Sequence, residues 1–471
     1  MTFIDVLLII ATVLGALLLF GLTVFAHELG HFIGAKWMGL YVDRFAVGMG
    51  PTLWSFKLGE TEYCVKWLPV GGFVSIPQMA PMEAIEGKVE NLPKNLPAGK
   101  PLAKIVAAFF GPLFSLLFGL ALAVVIFFVG KNLNTTTLTT TIGYVARDTP
   151  AYEAGLRPGD KIISVNGARV TRWLGGADGV YESILLSTNR DVDLAVERDG
   201  QRLDFKVECR EDPDPRHEKL RTAGFEEYRA KPLIIERLTG KDSPAALAGL
   251  RRGDVITRLD GQRLYCPAQF KFLLDEKSGA FTLELERDGA PLTVTLEKQR
   301  IASDLGEYTG IGVQWQTDFY TVIYPSPLAQ VSDSLVAMWR TIVALVSPDS
   351  GVGMKHLSGP VGIFDIIIRM FLSADFRALL AFWVFFNVNL AVLNLLPLPV
   401  LDGGHIMFAL FELVARRPLH IKVINALMVG SLALLLAFFA LVTFYDSGRI
   451  WRNIKGERKA APVKESVQTA E

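Results

Sequence analysis

Residues 6–26 read VLLIIATVLGALLLFGLTVFA and run directly into HELGHF at 27–32. The first part is apolar except for Thr12 and Thr23, and it is long enough to cross a bilayer, which takes roughly 20 apolar residues. An ionisable side chain at the centre of such a helix costs about 2.5–3.5 kcal/mol, and less near its ends. A favourable interaction must therefore offset the cost of two histidines and a glutamate there.

Four stretches are apolar enough to span a membrane, and 51% of the 471 residues are hydrophobic. The first could be mistaken for a signal peptide, but MTFID carries no positive charge and the apolar run is too long. We therefore expect a polytopic α-helical membrane protein with four retained spans. The predicted spans are 6–26, 105–129, 378–396 and 424–444. A shorter run at 335–346 is interrupted by Arg340, which favours an interfacial or buried helix.

Lysine and arginine residues near the span ends predict the orientation of the chain. None precedes the first span, whereas four lie between positions 36 and 66. The N-terminus is therefore predicted outside, loop 27–104 in the cytoplasm and region 131–377 outside. Basic residues after position 444 favour the cytoplasm for the tail, but four spans put that tail outside.

The region between the second and third spans contains a duplication. Residues 149–167 read TPAYEAGLRPGDKIISVNG and residues 243–261 read SPAALAGLRRGDVITRLDG. A hairpin pattern follows each copy, at 192–207 and 281–296, with alternating apolar residues around an Asp-Gly turn. This pattern resembles PDZ domains of bacterial envelope proteases. We expect two external α+β PDZ-like repeats.

The PDZ-like repeats allow two roles. PDZ domains bind extended peptides by adding a strand to a sheet edge, whereas a structural spacer would need no ligand. Asp160 and Asp254 are expected to be turn residues.

Cys64, Cys209 and Cys266 form no CxxC pair. The last two could pair in the external region, although unpaired cysteines are favoured.

The HELGH motif predicts a zinc site. On a helix, His27 and His31 lie one turn apart on the same face, so both imidazoles can bind one Zn²⁺. Glu28 can then reach a water at the metal. A bound metal would offset the cost of the polar groups. The alternative is a pair of histidines at the membrane interface, where polarity costs little.

The third ligand must come from elsewhere, since a catalytic zinc commonly has three protein ligands and one open position. The stretch NLLPLPVLDGGH, residues 394–405, combines helix-breaking prolines, a Gly-Gly pair that permits close approach, and an acid. Asp402 is favoured as the third ligand, with His405 as the alternative.

HExxH at the end of a first span and NLLPLPVLDGG after a later one together resemble the site-2 protease family of intramembrane metalloproteases. Further matches are GPLFSLLFGLAL at 111–122, GGFVSI at 71–76 and LSGPVGI at 357–363. Two PDZ-like repeats between the second and third spans narrow the resemblance to the regulator of sigma E protease type of Gram-negative bacteria. The resemblance covers nearly the whole chain.

The resemblance implies that His27, His31 and Asp402 bind zinc and that Glu28 is the general base. It implies a membrane-dipping β-hairpin at 63–76 that offers a strand edge to the substrate. The substrate-binding residues that it implies are Asn394, Pro397, Pro399, Gly71 and Gly72. Two departures are Ser115, where the family usually has Asn, and Ser75, where it usually has Lys. We expect neither to touch the metal.

The implied activity is that of an intramembrane zinc metalloendopeptidase of EC class 3.4.24. Its implied substrates are single-span membrane proteins, such as anti-sigma factors and remnant signal peptides, in regulated intramembrane proteolysis and envelope stress signalling. The implied location is the bacterial inner membrane, with the repeats in the periplasm and the active site towards the cytoplasm. The lipid bilayer and peptide ligands of the repeats are further expected partners. The zero formal net charge gives no indication of nucleic acid.

We expect the following segments in chain order: 1–38, first span with HExxH; 39–104, cytoplasmic loop with the membrane-associated hairpin; 105–130, second span; 131–225, first PDZ-like repeat; 226–320, second PDZ-like repeat; 321–377, membrane-surface helical linker; 378–405, third span with the Asp402 motif; 406–446, cytoplasmic turn and fourth span; and 447–471, C-terminal tail.

Two other functions compete with proteolysis. A catalytically silent scaffold, whose repeats recruit misfolded envelope proteins, would lack a zinc ligand or the base, yet all four residues are present. A metal transporter would carry paired repeats of spans, and the sequence contains no such pair.

Overall fold

A computed structural model describes residues 3–79, 96–211, 220–227, 233–240, 242–303, 306–316, 319–372 and 375–459. Parts of the predicted loop 39–104 and of the tail 447–471 therefore lie outside the described residues. The chain divides into two compact units. The first comprises residues 1–131, 323–338 and 358–444, and the second comprises 132–322, 339–357 and 445–471.

The helices are, in chain order, α1 (Phe3–Trp37), α2 (Pro101–Val129), α3 (Pro150–Glu153), α4 (Val180–Leu185), α5 (Pro244–Leu247), α6 (Pro267–Asp275), α7 (Pro327–Val346), α8 (Pro360–Leu372), α9 (Phe376–Asn394), α10 (Asp402–Ala415) and α11 (Ile421–Lys459). The strands are β1 (Arg44–Leu58), β2 (Thr61–Ser75), β3 (Lys131–Asn134), β4 (Ile142–Val145), β5 (Lys161–Val165), β6 (Ala168–Arg169), β7 (Asp191–Arg198), β8 (Gln201–Glu208), β9 (Arg210–Glu211), β10 (Arg221–Thr222), β11 (Phe225–Glu227), β12 (Leu233–Leu238), β13 (Val255–Leu259), β14 (Gln262–Arg263), β15 (Phe281–Arg287), β16 (Ala290–Leu296), β17 (Gln299–Ser303), β18 (Gly306–Gly310), β19 (Val313–Trp315) and β20 (Tyr320–Ile323).

Four of the described helices are long and apolar enough to span a membrane, as the sequence predicts. The candidate spans are Leu14–Trp37, Pro101–Val129, Phe376–Asn394 and Ile421–Arg449. The bounds of all four differ from the predicted ones, and the largest differences concern the first and the fourth span. Helix α1 does not end at Ala26 but continues through HELGH to Trp37, so the motif lies inside a continuous helix. Helix α11 continues past residue 444 into the predicted tail.

Helix α10 extends to Ala415, into segment 406–446, which is predicted to hold the cytoplasmic turn and the fourth span. Residues 406–414 are mostly Leu, Phe, Met, Ala and Glu, and most of these are favourable helix formers. Only residues 416–420 form the turn before α11. Asp402 and His405 therefore belong to α10 and not to the third span, which ends at Asn394.

Small residues allow α1 and α2 to pack closely. A Cβ atom at Gly30 would come within 2.1 Å of the Phe110 carbonyl oxygen. At Gly34 it would lie 2.9 Å from the Phe110 side chain. Glycine at such contacts lets two membrane helices approach more closely than larger residues would allow. This close approach brings α2 against the helical turns that carry the HELGH motif.

Buried polar groups join α9 to α1. The Trp383 indole N–H donates to the Thr23 hydroxyl over 2.8 Å. The Asn387 side-chain amide donates to the same hydroxyl over 3.4 Å. All three residues are almost fully buried. Because an unpaired polar group is costly away from water, these bonds favour one arrangement of the two helices.

Strands β1 and β2 form an antiparallel hairpin that is larger than the predicted segment 63–76, of which residues 63–75 lie in β2 alone. Its strands reverse at Gly59, which has a φ of +64° and so favours glycine. Large apolar side chains on the hairpin are exposed, and they include Met49, Leu53, Trp54, Phe56, Trp67 and Leu68. Their insertion into a membrane stays a prediction.

Each PDZ-like repeat forms an antiparallel sheet with short helices. In the first repeat the strand order is β6-β5-β7-β8, and in the second it is β16-β15-β13-β12-β19. The predicted Asp-Gly hairpin turns are confirmed. Asp199-Gly200 and Asp288-Gly289 have positive φ at both positions, as a tight hairpin turn requires. Helix α5 is followed by Gly249 at a φ of +78°, a conformation that suits glycine after a helix end.

The same buried ion pair recurs in both repeats. Arg198 Nε lies 2.6 Å from Asp160 Oδ1, and Arg287 Nε lies 2.7 Å from Asp254 Oδ1. The second oxygen of each aspartate accepts a backbone N–H three residues earlier, over 2.8 Å. Both aspartates are 1% exposed. They stabilise the turn before β5 or β13 and tie it to the adjacent hairpin.

The end of the first repeat and the state of the three cysteines are two further details of the fold. Strand β11 pairs with β4, and the Phe225 ring packs against Trp173. The first repeat therefore extends past residue 225, its predicted end.

Cys64, Cys209 and Cys266 are free thiols. Burial raises the pKa of Cys209 to about 11, which is typical of an unreactive structural cysteine.

The helix predicted at 335–346, as interfacial or buried, begins earlier, at Pro327. The Ser326 hydroxyl accepts the backbone N–H of Ala329 over 3.2 Å, as a residue at a helix N-terminus does. Proline fits the first helical turn because its missing N–H would have no partner there. The helix therefore starts at a serine–proline pair rather than at the first apolar run.

Candidate metal centre

Helix α1 presents His27 and His31 on one face, one turn apart. Their Nε2 atoms are 3.2 Å apart, and their rings meet edge to face at an interplanar angle of 85°. His27 is 8% exposed, so its ring lies inside the helical unit. The four-residue spacing therefore brings both imidazoles to one point, as the sequence predicts.

The chain between α9 and α10 brings a carboxylate to the same point. Helix α9 ends at Asn394, and a loop that contains Pro397 and Pro399 leads to Asp402, the first residue of α10. A Cβ atom at Gly403 or Gly404 would come within 2.2 Å or 2.3 Å of loop carbonyl oxygens. The Gly-Gly pair therefore lets the loop fold tightly against the start of α10, as the sequence predicts.

Asp402 completes a triangle of potential ligand atoms with the two histidines, which we call the ligand triangle. Asp402 Oδ2 lies 3.2 Å from His27 Nε2, and Asp402 Oδ1 lies 3.2 Å from His31 Nε2. Atoms that bind one tetrahedral zinc at about 2.0–2.1 Å are separated by about 3.3 Å. Two imidazoles and one carboxylate are also a donor set found in catalytic zinc sites. The residues present fit a zinc ion.

His405, the alternative third ligand, lies one turn further along α10. It is 8% exposed, and its Nδ1 atom has no hydrogen-bond partner among the described residues. It lines a cavity of about 200 Å³ together with the ion pair formed by Lys104 and Glu412. The group of potential metal ligands in the described chain contains Asp402 and not His405.

Helix α2 supplies hydrogen-bond partners to both histidines. The Ala107 carbonyl oxygen lies 2.8 Å from His31 Nδ1, and the Ser115 hydroxyl oxygen lies 2.9 Å from His27 Nδ1. Such outer contacts fix the orientation of a metal-binding imidazole. Ser115, which the sequence treats only as a departure from the family, therefore contacts a predicted ligand directly.

Glu28 lies where strand β2 meets α1. A Cβ atom at Gly72 would be 3.1 Å from Glu28 Cγ, so the glycine leaves room for the glutamate side chain. Neighbouring Gly71 has a φ of +80°, and a Cβ atom there would meet Met49 on β1. The hairpin and the HELGH motif are thus in contact.

The remaining predicted residues lie at the end of α9 and in the loop after it. Asn394 is the last residue of α9, and its Nδ2 atom lies 3.4 Å from His27 Nε2. Pro397 and Pro399 lie in the loop, and the Pro399 backbone packs against Gly404. Asn394 is therefore close to the ligand triangle, whereas the two prolines shape the loop that ends at Asp402.

Comparison with known families identifies the chain's relatives. The sequence model of peptidase family M50, the site-2 protease family, matches residues 15–438. The chain belongs to peptidase family M50. The match includes both HELGH and the Asp402 motif, and this M50 peptidase is a zinc metalloprotease.

Relatives match this M50 peptidase over most of their length. One protein of Neisseria meningitidis, named as a zinc metalloprotease, is 30% identical over 90% of this chain and 96% of its own. The regulator of sigma-E protease RseP of Escherichia coli is 27% identical over 91% of this chain and 97% of its own. A PDZ domain of an SdrC-like protein from Listeria monocytogenes is similar to 20% of this chain, with 21% identity and a TM-score of 0.17.

Sequence reasoning missed two features of this M50 peptidase. The contact of Ser115 with His27 was missed because the two residues lie on different helices. The arginine partners of Asp160 and Asp254 were missed as well. The sequence does contain a signal for the arginines, because the tetrapeptide ERDG, which includes them, occurs at 197–200 and again at 286–289.

Proposed function

We propose that this M50 peptidase hydrolyses peptide bonds within or next to the transmembrane segments of single-span membrane proteins. The observation that carries the proposal is the triangle of His27, His31 and Asp402, whose donors converge on helices long enough to span a membrane. The proposed substrate classes are anti-sigma factors and remnant signal peptides. Their cleavage would serve regulated intramembrane proteolysis and envelope stress signalling.

The protein residues divide the catalytic work. Zn²⁺ held by His27, His31 and Asp402 would supply Lewis-acid polarisation of the scissile carbonyl and would acidify the attacking water. Glu28 takes a proton from that water as its oxygen bonds to the carbonyl carbon. Glu28 then gives the proton to the leaving nitrogen as the C–N bond breaks, so each turnover consumes one water and regenerates the carboxylate.

The substrate must expose its backbone before this chemistry can occur, because a transmembrane helix hydrogen-bonds its own peptide groups. Strand β2 lies against Glu28 through Gly72. We propose that an unwound substrate segment pairs with this hairpin, so that its freed N–H and C=O groups keep partners. The exposed apolar residues of the hairpin support its insertion into the membrane. Asn394 is proposed to contact the substrate backbone.

The distribution of basic residues supports the proposed location. The protein would lie in the bacterial inner membrane, with the two PDZ-like repeats in the periplasm and the zinc site towards the cytoplasmic side. The repeats would either exclude substrates with bulky external domains or bind extended peptides.

The decisive experiment replaces Glu28 with Gln. We expect Glu28→Gln to keep wild-type zinc content per chain but to abolish cleavage of a membrane-spanning reporter. The control is Glu236→Gln, a change of the same kind at an exposed position of β12. Cleavage by Glu28→Gln at the wild-type rate would show that another group is the base.

A further inference from the structure

Ser115 and His27 form a buried contact between two neighbouring helices. The Ser115 hydroxyl oxygen lies 2.9 Å from His27 Nδ1, and Ser115 is fully buried. In helix α2, Ser115 lies two turns after Ala107, whose carbonyl oxygen contacts the other histidine. One helix thus provides a hydrogen-bond partner to each imidazole of the triangle.

The carbonyl partner determines which nitrogen of His31 carries the proton. A carbonyl oxygen only accepts, so His31 Nδ1 must donate its hydrogen to Ala107. The neutral ring then keeps its lone pair on Nε2, which is the atom that faces Asp402. This is the tautomer that binds a metal through Nε2.

Two contacts indicate the same arrangement for His27. A serine hydroxyl has two lone pairs and can accept the hydrogen of His27 Nδ1. On the opposite side of the ring, the Asn394 side-chain amide lies 3.4 Å from His27 Nε2 and can donate to it. The Nε2 lone pair can accept from Asn394 or bind a metal, but not both; in either case the ring hydrogen lies on Nδ1, facing Ser115. If Ser115 instead donated to Nδ1, the neutral ring would carry its hydrogen on Nε2 and could not bind a metal there.

We propose that Ser115 is a positioning residue, which accepts the Nδ1–H of His27 and holds the Nε2 lone pair towards the metal. The inference rests on the proposed zinc role of His27 and extends it to a residue of the second span. The hydroxyl also opposes rotation of the ring, because a rotated ring would lose this partner of its buried Nδ1–H.

The test measures zinc affinity of the purified full-length protein in detergent by competition with a metal chelator. Loss of an outer partner of a metal-binding histidine typically costs about 10–100-fold in affinity. We therefore expect Ser115→Ala to bind zinc at least about tenfold more weakly. We expect Ser115→Thr, which keeps the hydroxyl, to stay within about threefold of the wild type. Binding of Co²⁺, followed by its visible absorption, should change in the Ala variant and not in the Thr variant.

The matched control is Ser334→Ala, which removes another buried hydroxyl, in α7. It should leave zinc affinity unchanged, and all variants are compared by size-exclusion profile and thermal unfolding. Wild-type affinity in a folded Ser115→Ala protein overturns the inference, and so does equal weakening in the Ala and Thr variants. A wild-type protein that takes up no zinc would instead overturn the proposed function.

Discussion

Gly111 of α2 lies directly against the imidazole of His31. A Cβ atom at Gly111 would come within 2.2 Å of His31 Nε2 and 2.3 Å of Cε1. Real Cβ atoms do not approach other atoms so closely, so the missing side chain is what leaves space for the histidine ring at the ligand triangle.

Replacement of Gly111 by alanine is therefore expected to displace His31. Alanine forms helices better than glycine by about 1 kcal/mol, so α2 itself should not lose stability. We expect Gly111→Ala to lower zinc affinity by about 10–100-fold and to lower proteolysis with it. The control is Gly430→Ala in α11, where a Cβ atom would meet nothing within 4 Å. If Gly111→Ala binds zinc as tightly as Gly430→Ala and the wild type do, the missing side chain at Gly111 is not needed to place His31 for metal binding.

Asp402 and His405 can be separated by their effect on metal content. Asp402→Ala removes one of the three proposed ligands and should lower zinc per purified chain on the order of tenfold or more. His405→Ala removes a buried imidazole from the same helix and should leave zinc content unchanged. Elemental analysis of both proteins after dialysis distinguishes them. Metal retained by the Asp402 variant and lost by the His405 variant would reverse the assignment.

The second PDZ-like repeat should become less stable in acid. Burial opposes ionisation of Asp254, but the Arg287 guanidinium and the Arg251 backbone N–H outweigh it and lower the pKa of Asp254. An aspartate with a lowered pKa stabilises the folded state above its unfolded pKa of about 3.9. This stability is lost as the pH falls from there through the folded pKa.

Asp254→Asn should remove most of this dependence. We expect it to lower the free energy of unfolding of the repeat by about 2 kcal/mol at pH 7, since a buried hydrogen-bonded charge is lost. Hydrogen exchange of the β13 and β15 amides between pH 7 and pH 3 measures the effect in the full chain. Asp288→Asn, in the exposed hairpin turn, is the control. Equal exchange rates in the wild type and both variants would contradict the prediction.

The orientation of the chain can be tested with reporters. A reporter fused after residue 471 should be external, whereas one inserted in the turn 416–420 should be cytoplasmic, because a single candidate span separates them. The basic residues after Phe444 favour the other side for the tail. A cytoplasmic signal from the terminal fusion would overturn the four-span orientation.

Patterns within single elements predicted much of this structure. The His27–His31 spacing specifies one helical face, the Asp-Gly pairs specify two hairpins, and the Gly-Gly pair specifies the tight approach beside Asp402. Contacts between different elements were harder to predict from the sequence. Whether Ser115 or a neighbour meets His27 depends on the rotation and offset of α2 against α1, and the glycine contacts that set these are recognisable only in three dimensions.

The ligand triangle joins the first span to the start of α10, near opposite ends of the chain. During synthesis the two histidines enter the membrane long before Asp402 has been made. A nascent or truncated chain that ends before that residue has the base and both imidazoles, yet it lacks the carboxylate needed to complete the centre. With the proposed ligands, the order of translation would leave the metal centre incomplete until the start of α10 has been made.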